Sequence, residues 1–452
     1  MSGEAPILFG TDGIRGVAGE FPLQKLFVRK LGAAAATVYC QEVRDRKPVF
    51  ILGRDTRQSG PWIAQAFAEG ASLEGVQVMD LGVTSTPSLA YLVPKRQLMG
   101  GVMISASHNP AEFNGIKLFS PLGRKCPDSW ERLIEKRVTQ ILDPEPRHVV
   151  LRKDSKGIKD YLEFLKRSLP PKTTFKGLTL VVDCSHGSLS KIAPAFLKSL
   201  GVRVIAIGSA PTGKNINAGW GSQHPEKMQQ LVRQRKADGG MAFDGDADRI
   251  ILCDETGEIL DGDYVIACAA RCLKEENRLA GNMVVVTVMA NLGLMKALRS
   301  WSIDPMVTPV GDRYVSDKLE ECGGVIGGEQ SGHIIFHHLL PTGDGLQTGL
   351  QVLSMLRARQ KPLSWIRTLF SKYPQVLENV RVRQKRPLEE CPEVQAEISH
   401  AVSELGDDGR VLVRYSGTEP LLRVMMEGPS RSKLQELTGR IVEKARKVLG
   451  AA

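Results

Sequence analysis

Three aspartates at alternate positions, Asp244, Asp246 and Asp248, are the side chains of this sequence best suited to chemistry. Three carboxylates on one short turn repel one another, which is costly unless a cation neutralises them. Carboxylate oxygens are the ligands that hard divalent cations prefer, so the run predicts a site for one Mg²⁺ ion per chain. A solvated acidic turn is the alternative, and the apolar segments on both sides of the run argue against it.

A calcium loop of the EF-hand type is a second alternative for this run. Ile251 and Glu255 stand where such a loop has its apolar residue and its bidentate glutamate. However, Arg249 occupies the position that needs glycine for the sharp turn. The flanking segments, 241–243 and 250–253, have the composition of strands rather than of helices. We therefore favour magnesium over calcium.

Ser107 is a second candidate centre, because it follows an apolar segment and has His108 beside it and Lys117 further along. A serine in this position can simply cap the segment that follows. The imidazole and the lysine favour a reactive hydroxyl instead, with His108 and Lys117 supplying proton transfer or charge. The serine oxygen can carry phosphate, and a phosphoserine could complete a metal shell. No G-x-S-x-G sequence surrounds Ser107, which argues against an acyl-transfer serine.

Two glycine-containing polar segments have the composition of phosphate-binding loops. The later one combines two arginines, two hydroxyls and a glycine: Arg414, Ser416, Gly417, Thr418 and Arg423. The earlier one, residues 10–16, contributes Arg15. Guanidinium groups, hydroxyls and backbone N–H groups are donors that hold phosphate, although the later segment could also be a polar hairpin. Neither segment matches a Walker loop or a G-x-G-x-x-G after a strand, so nucleotide binding is not indicated.

A third cluster of polar residues contains Glu329, Ser331 and His333. Together they offer donors and acceptors suited to vicinal sugar hydroxyls, and an acidic loop is the alternative. His337 and His338 follow in the same segment without a matching carboxylate. We interpret those two histidines as structural.

A pattern of strands and turns recurs three times and would position these residues. In each copy an apolar strand ends in a polar turn, a helix-like segment leads to a second strand that closes on glycine, and paired glycines lead into a third. The paired glycines begin at Gly100, Gly239 and Gly323. Apolar strands alternating with helices predict α/β layers with a largely parallel sheet. Ligands bind beyond the carboxyl ends of such strands, where the serine, the aspartates and the Glu329 turn stand.

The pattern changes after about residue 371. An alternating strand, a helix, a pair of strands and a basic amphipathic helix predict a small α+β domain. The expected domains are 1–150 with the serine loop, 151–258 with the acidic run, 259–370 with the sugar-binding loop, and 371–452 with the later phosphate-binding loop. Because no low-complexity linker separates them, we expect the domains to surround one central cleft.

Composition narrows the class of protein. The 452 residues are 42% hydrophobic and 24% charged, which is typical of a globular chain of roughly three domains. The formal charge of +10 fits nucleic acid, an acidic membrane surface or a small anionic substrate, but no nucleic-acid recognition motif accompanies it. The 8 cysteines are scattered singly, and the N-terminus lacks a signal peptide pattern. We expect a cytoplasmic protein with reduced thiols and no transmembrane segment.

The four motifs, in their order along the chain, resemble those of the α-D-phosphohexomutases. They are residues 105–110, 244–249, 328–333 and 414–420. The resemblance covers essentially the whole chain and implies an isomerase with three repeated α/β domains of mixed, largely parallel sheets. It also implies a C-terminal α+β domain closing over a central cleft. A non-catalytic metal-binding protein would need only the aspartates, and it stays as the alternative from another class.

Within that family, several segments resemble the members that act on glucosamine phosphates. These segments are residues 9–16, 215–217, 221–222, 287–291, 310–315 and the glutamine Gln330. The resemblance implies interconversion of glucosamine 6-phosphate and glucosamine 1-phosphate, feeding UDP-N-acetylglucosamine synthesis, with glucosamine 1,6-bisphosphate as intermediate and activator. A family member acting on mannose or glucose phosphates is the alternative, although such enzymes usually carry methionine in place of Gln330.

The resemblance also implies a role for each candidate residue. Ser107 would be the phosphoserine and, with Asp244, Asp246 and Asp248, a ligand of Mg²⁺. Arg15 and Arg249 would neutralise charge at the transferring group, while Lys117 and His108 would serve proton transfer. Glu329 and Ser331 would hold the sugar hydroxyls. The phosphate that does not react would bind to the arginines, hydroxyls and glycine of the later loop: Arg414, Ser416, Gly417, Thr418 and Arg423. We expect a small phosphosugar as the partner, neither nucleic acid nor membrane, and we consider a homodimer.

Overall fold

The structure is a computed structural model, and it describes residues 8–10, 12–143, 149–416 and 420–450. Its strands are β1 (Ile14–Val17), β2 (Lys47–Arg54), β3 (Gln77–Val83), β4 (Leu98–Ile104), β5 (Phe113–Phe119), β6 (Arg152–Lys153), β7 (Thr179–Asp183), β8 (Arg203–Ile207), β9 (Gly239–Phe243), β10 (Ile250–Asp254), β11 (Ile259–Leu260), β12 (Met283–Thr287), β13 (Asp304–Thr308), β14 (Ile326–Gly328), β15 (Ile334–Phe336), β16 (Gln375–Arg381), β17 (Arg410–Tyr415) and β18 (Leu421–Glu427). Its α-helices are α1 (Lys25–Glu42), α2 (Gly60–Leu73), α3 (Thr86–Lys95), α4 (Asp128–Val138), α5 (Gly157–Arg167), α6 (Ile192–Ser199), α7 (Glu226–Arg235), α8 (Gly262–Glu275), α9 (Leu292–Ser300), α10 (Asp312–Cys322), α11 (Gly345–Arg359), α12 (Pro392–Leu405) and α13 (Arg431–Leu449).

The chain forms two compact units. The first comprises Met1–Met289 and Ile303–Leu369, and the second comprises Ala290–Ser302 and Phe370–Ala452. Three sheets lie in the first unit, with strand orders β1-β5-β4-β2-β3-β6, β11-β10-β9-β7-β8 and β13-β12-β14-β15. The second unit holds one sheet, β16-β18-β17. The predicted fold class, three α/β domains with mixed, largely parallel sheets followed by a C-terminal α+β domain, is confirmed. The four domain boundaries stay a prediction.

The first sheet is mixed. Strands β2, β3 and β4 are parallel neighbours, whereas β5 returns antiparallel to β4 and β1 returns antiparallel to β5. Every residue of β4 is buried, as expected for an inner strand covered on both faces. Ser107 follows the carboxyl end of β4, and Lys117 lies within β5 opposite Met103 of β4. The sheet therefore places Lys117 on the strand next to the one that leads to Ser107.

The second and third sheets position the other two motifs. Strands β9 and β10 form an antiparallel pair in which Ile250 lies opposite Phe243, so the acidic run occupies the connection between them. Strand β14 has only three residues, and its antiparallel neighbour β15 follows the Glu329 turn. The glycine pair at Gly323 precedes β14 rather than lying in it, because Gly323 ends α10 in the left-handed conformation.

Close helix packing stabilises the first sheet. Helices α1 and α2 approach so closely that a Cβ atom on Gly70 would lie 1.9 Å from the carbonyl oxygen of Arg29. At the same contact the buried guanidinium of Arg29 pairs with Glu69 at 2.8 Å. Only glycine allows the two backbones to come this near.

The second unit is an antiparallel sheet with helices packed on it. Strand β18 lies in the centre and pairs with β16 and β17. The apolar side of α13, including Leu434, Leu437 and Ile441, is buried in the same core as Val424 of β18. Ser430 caps α13 by accepting a hydrogen bond from the Lys433 N–H. No α-helix in the described ranges combines the length and the hydrophobicity needed to cross a membrane.

Candidate active site

Ser107 lies in a buried turn directly after β4, with a backbone φ of 50°. This left-handed conformation is uncommon for a residue other than glycine and marks a tightly held turn. The Ser107 N–H donates to Ser105 Oγ at 2.9 Å, and Ser105 Oγ donates to Asp55 at 2.6 Å. Ser107 Oγ itself donates to Asp244 Oδ2 at 2.6 Å. The predicted serine and the first aspartate of the acidic run are therefore in direct contact.

The three aspartates converge as the sequence predicts. Asp244, Asp246 and Asp248 are buried, and one ligand atom from each lies within 4.8 Å of the others. Burial and the neighbouring carboxylates of Asp248 and Asp246 raise the pKa of Asp244 well above its usual range. Within the described ranges, the buried Oδ1 atoms of Asp246 and Asp248 have no hydrogen-bond partner. Crowded carboxylates with unsatisfied buried oxygens have the donor set and the charge that suit a divalent cation.

Lys117 provides the positive charge closest to these carboxylates. Its Nζ lies 2.8 Å from Asp246, 3.4 Å from Asp248 and 2.9 Å from Asp12. Burial alone would lower the pKa of Lys117, but attraction to these carboxylates outweighs burial and holds the pKa well above its usual range. Lys117 is therefore an ammonium ion in this arrangement. It can neutralise charge or donate a proton, and it must lose a proton before it can accept one.

Asp12 and Lys125 extend this network towards α10, and the sequence did not single them out. Lys125 Nζ lies 2.6 Å from Asp12 and 2.7 Å from Asp312. Carboxylates and ammonium groups thus alternate from Asp246 through Lys117, Asp12 and Lys125 to Asp312. Because the signs alternate, each charged group forms an ion pair with a neighbour of opposite sign. Nothing in the local sequence around Lys125 signals this contact, because its two partners are distant in the chain.

His108 and Arg249 lie beside Ser107. His108 Nδ1 is 3.3 Å from Ser107 Oγ and 3.2 Å from a terminal nitrogen of Arg249. Burial, reinforced by the positive charges of Arg249 and Arg15, lowers the pKa of His108 to about 4. The imidazole is therefore neutral near pH 7. Arg15 also reaches this region, since it donates to Asn109 Oδ1 at 2.9 Å and pairs with Asp12.

The third motif surrounds the connection between β14 and β15. Glu329 is buried, and its Oε1 accepts a hydrogen bond of 3.2 Å from the N–H of Gly311, the residue before α10. Ser331 is exposed in the same turn. His333 differs from the expectation of a sugar contact, because it is buried with Nδ1 3.8 Å from Asp248 Oδ1. Its Nε2 accepts a hydrogen bond of 3.0 Å from the N–H of Gly343, so His333 supports the acidic run.

The second unit holds the later of the two segments that the sequence predicts to bind phosphate. Arg414 on β17 lies directly opposite Arg423 on β18. Burial and the charge of Arg423 lower the pKa of Arg414. Two like charges in a cross-strand pair are unfavourable, and an anion would relieve them. Ser416 is buried at the end of β17, whereas Gly417 and Thr418 lie outside the described residues.

Arg57 and Asn217 are further residues of the site to which the sequence assigned no role. Both donate to carbonyl oxygens of the Ser107 turn. The one available signal for Arg57 was its position just after β2, where a parallel sheet collects functional side chains. Asn217 belongs to a long connection after β8. It lies in segment 215–217, which carries part of the family resemblance, but the sequence assigned it no role.

Comparisons with known proteins identify the family of this chain. The models of the phosphoglucomutase/phosphomannomutase family match alpha/beta/alpha domain I at residues 6–145, domain II at 159–257, domain III at 261–373 and the C-terminal domain at 377–444. A family protein from Burkholderia thailandensis has a similar solved structure, with a TM-score of 0.81 at 23% identity over 99% of this chain and 98% of that one. The chain belongs to the phosphoglucomutase/phosphomannomutase family.

Two curated relatives show which members of that family this chain resembles. A phosphoglucosamine mutase from Symbiobacterium thermophilum is 45% identical over 97% of this chain and 98% of its own. A phosphoglucosamine mutase from an Anaeromyxobacter species is 43% identical over 99% of this chain and 98% of its own. The prediction of an isomerase of the phosphoglucosamine mutase type is confirmed.

Proposed function

We propose that this chain interconverts glucosamine 6-phosphate and glucosamine 1-phosphate, with Ser107 carrying a phosphoryl group between the two sugar positions. The contact between Ser107 Oγ and Asp244 Oδ2 at 2.6 Å is the observation that carries the role of Ser107. The full-length similarity to phosphoglucosamine mutases supports the choice of sugar.

In the first half of the reaction, the phosphorus–oxygen bond to Ser107 Oγ breaks as a bond forms between phosphorus and the 1-hydroxyl of glucosamine 6-phosphate. The sugar hydroxyl loses a proton, and Ser107 Oγ gains one. His108 Nδ1, 3.3 Å from Ser107 Oγ, is close enough to exchange this proton. Lys117 is the second group proposed for proton transfer. The product of this half is glucosamine 1,6-bisphosphate.

In the second half, the bisphosphate turns over and returns its other phosphoryl group to Ser107. The bond between phosphorus and the sugar 6-oxygen breaks, the bond to Ser107 Oγ forms, and the serine proton passes to the 6-oxygen. Glucosamine 1-phosphate is released, and the phosphoserine is restored. Because the intermediate is itself a phosphoryl donor to Ser107, it would also act as an activator.

Phosphoryl transfer depends mainly on positioning and on neutralising the charge of the phosphoryl oxygens. Arg249 and Arg15, near His108, are the guanidinium groups proposed for this role, and Lys117 adds an ammonium ion. Asp244, Asp246, Asp248 and an oxygen of phospho-Ser107 are the ligands proposed for Mg²⁺. The bound cation would withdraw charge from the phosphoryl group. A solved N-acetylphosphoglucosamine mutase of similar fold, from Aspergillus fumigatus, is in complex with GlcNAc-6P and magnesium.

The remaining residues are proposed to bind the sugar phosphate. Glu329 and Ser331 would contact sugar hydroxyls. The non-reacting phosphate would bind to the loop of the second unit, through Arg414, Ser416, Gly417, Thr418 and Arg423. The same loop must accept either end of the sugar, since both sugar positions react in turn at Ser107.

A sugar-phosphate comparison tests this proposal. The purified protein, primed with glucose 1,6-bisphosphate and Mg²⁺, is incubated with glucosamine 6-phosphate and followed by ³¹P NMR. We expect glucosamine 1-phosphate to appear, with a higher kcat/KM than for glucose 1-phosphate or mannose 1-phosphate. Faster isomerisation of either neutral sugar phosphate would contradict the proposed substrate, and no isomerisation of any of them would contradict the proposed activity.

A further inference from the structure

Besides the residues proposed to contact the substrate, two side chains donate hydrogen bonds to the backbone of the turn that carries Ser107. We propose that Arg57 and Asn217 are positioning residues that hold Ser107 in the conformation required for phosphoryl transfer. The inference rests on the proposed function only for the chemistry of Ser107. The hydrogen bonds that carry it belong to the turn itself.

Arg57 is fully buried, and its N–H donors bind the Ser107 turn, the start of β5 and the carboxylate of Asp55. Its Nε donates to Asp55 Oδ2 at 2.9 Å, so the ion pair fixes the guanidinium plane. One terminal nitrogen donates to the carbonyl oxygens of Phe113, at 2.9 Å, and of Pro110. The other donates to the carbonyl oxygens of Ser107, at 3.1 Å, and Asn109, at 2.8 Å. A guanidinium group has five donors in a fixed plane, and all five are used here.

Lysine could not reproduce these contacts. An ammonium group has three donors on a flexible stem, whereas the guanidinium of Arg57 donates to four carbonyl oxygens and one carboxylate. Arg57→Lys would keep the positive charge opposite Asp55 and would lose several of the hydrogen bonds to the carbonyl oxygens. This makes lysine the informative substitution at position 57.

Asn217, in the connection after β8 of the second sheet, also donates hydrogen bonds to this turn. Its Nδ2 donates to the carbonyl oxygens of Ser107, at 2.8 Å, and Asn109, at 3.0 Å. These are two of the oxygens that Arg57 also binds, and a carbonyl oxygen can accept two hydrogen bonds. The backbone N–H of Asn217 donates to the Ser185 carbonyl at 2.9 Å, which anchors Asn217 itself.

The conformation that these bonds maintain is one that serine does not favour. Ser107 has a φ of 50°, in the left-handed region. Such strained residues persist only where their surroundings over-determine them. Without these hydrogen bonds the backbone of the turn would relax to a more favourable conformation, and Ser107 Oγ would move away from Asp244. A displacement of about 1 Å at a reacting atom can lower the rate by about a hundredfold.

The test compares Asn217→Ala and Arg57→Lys with two matched controls. Arg29→Lys alters another buried arginine–carboxylate pair, at the α1–α2 contact. Asn215→Ala removes an asparagine of the same connection that donates to the Ala210 carbonyl instead of the Ser107 turn. For each protein, kcat and KM for glucosamine 6-phosphate and the melting temperature are measured. Intact-mass spectrometry also follows the rate at which glucose 1,6-bisphosphate phosphorylates Ser107.

We expect kcat and the rate of Ser107 phosphorylation to fall about tenfold to a hundredfold in both variants. KM of both variants should stay near the wild-type value, because the residues proposed to bind the sugar lie elsewhere. The two control variants should keep kcat and the phosphorylation rate near the wild-type values. An unchanged kcat and phosphorylation rate in Asn217→Ala would overturn the proposal, even if Arg57→Lys fails to fold. So would a rise in KM alone. If the wild type does not act on glucosamine 6-phosphate, the proposed function fails, and the phosphorylation rates still decide the positioning roles.

Discussion

Ser107 Oγ donates a hydrogen bond of 2.6 Å to Asp244 Oδ2, although 137 positions separate the two residues in the chain. The contact joins the turn after β4 of the first sheet to the connection between β9 and β10 of the second. It places a serine hydroxyl oxygen directly at a cluster of carboxylates suited to a cation.

Replacing Asp246 should abolish cation binding. Asp246 Oδ1 is buried and makes no hydrogen bond to the described residues, so it is available as a ligand. A cation that binds only the folded state stabilises that state by mass action. We expect Mg²⁺ to raise the melting temperature of the wild type and not that of Asp246→Asn. Glu258→Gln, which changes an exposed carboxylate after β10, is the control and should keep the shift. An equal shift in Asp246→Asn would place the cation elsewhere.

Replacing Lys117 should destabilise the fold in the absence of a cation. Lys117→Met would leave Asp12, Asp246 and Asp248 without the ammonium that lies within 3.4 Å of all three. Breaking a buried ion pair by removing one partner costs about 3–5 kcal/mol of unfolding free energy. Urea unfolding measures the loss, and Lys318→Met, at an exposed pair with Glu321, should change little. A loss of similar size in both variants would contradict the account.

The raised pKa of Asp344 predicts how the free energy of unfolding depends on pH. This carboxylate caps α11 and accepts a hydrogen bond of 2.7 Å from the Tyr161 hydroxyl. Burial raises its pKa to about 6. In the unfolded chain the pKa is about 3.9, so between these values the folded state keeps a proton that the unfolded state releases.

The contribution of Asp344 to stability is therefore full below about pH 4 and is lost as the pH rises through about 6, by about 3 kcal/mol at most. Asp344→Asn cannot titrate, so the wild type should lose more unfolding free energy than this variant between pH 4 and 7. Urea unfolding across that range checks the difference. The exposed Asp304→Asn is the control, and its profile should follow the wild type. Parallel profiles for wild type and Asp344→Asn would disprove the assignment.

Arg423 should act on substrate binding. It forms a cross-strand pair with Arg414, and an anion between the two guanidinium groups would remove their repulsion. Arg423→Met should raise KM for glucosamine 6-phosphate about tenfold or more, because charge-assisted hydrogen bonds to phosphate contribute about 1.5–3 kcal/mol. Arg381→Met removes an exposed arginine from β16 of the same sheet and should leave KM unchanged. Equal effects of the two substitutions would argue against a phosphate site at Arg423.

The sequence predicted the sheets and the motifs because each depends on local composition. Buried parallel strands are largely apolar, so β4 and β9 could be recognised, together with the polar turns that follow them. β14 has only three residues, two of them glycines, and was indicated by the glycine pair that precedes it. The aspartates and Ser107 were recognisable because their types and spacing have few structural explanations.

Contacts between distant segments could not be predicted in this way. Lys125 meets Asp12 and Asp312 only because the first and third sheets share one compact unit, and no local pattern records that. His333 was expected among the sugar ligands, but the fold buries it against Asp248. A side chain's direction depends on which strand packs behind it, and this is a property of the tertiary structure.

The central claim is that Ser107 passes its phosphoryl group to the sugar. The direct measurement uses protein labelled with ³²P by a radioactive bisphosphate, freed of that donor and mixed with one equivalent of glucosamine 6-phosphate. The account predicts that label leaves the protein and appears on sugar bisphosphate and monophosphate, and that Ser107→Ala takes up no label. Label that stays on the protein, or is released only as inorganic phosphate, would contradict it.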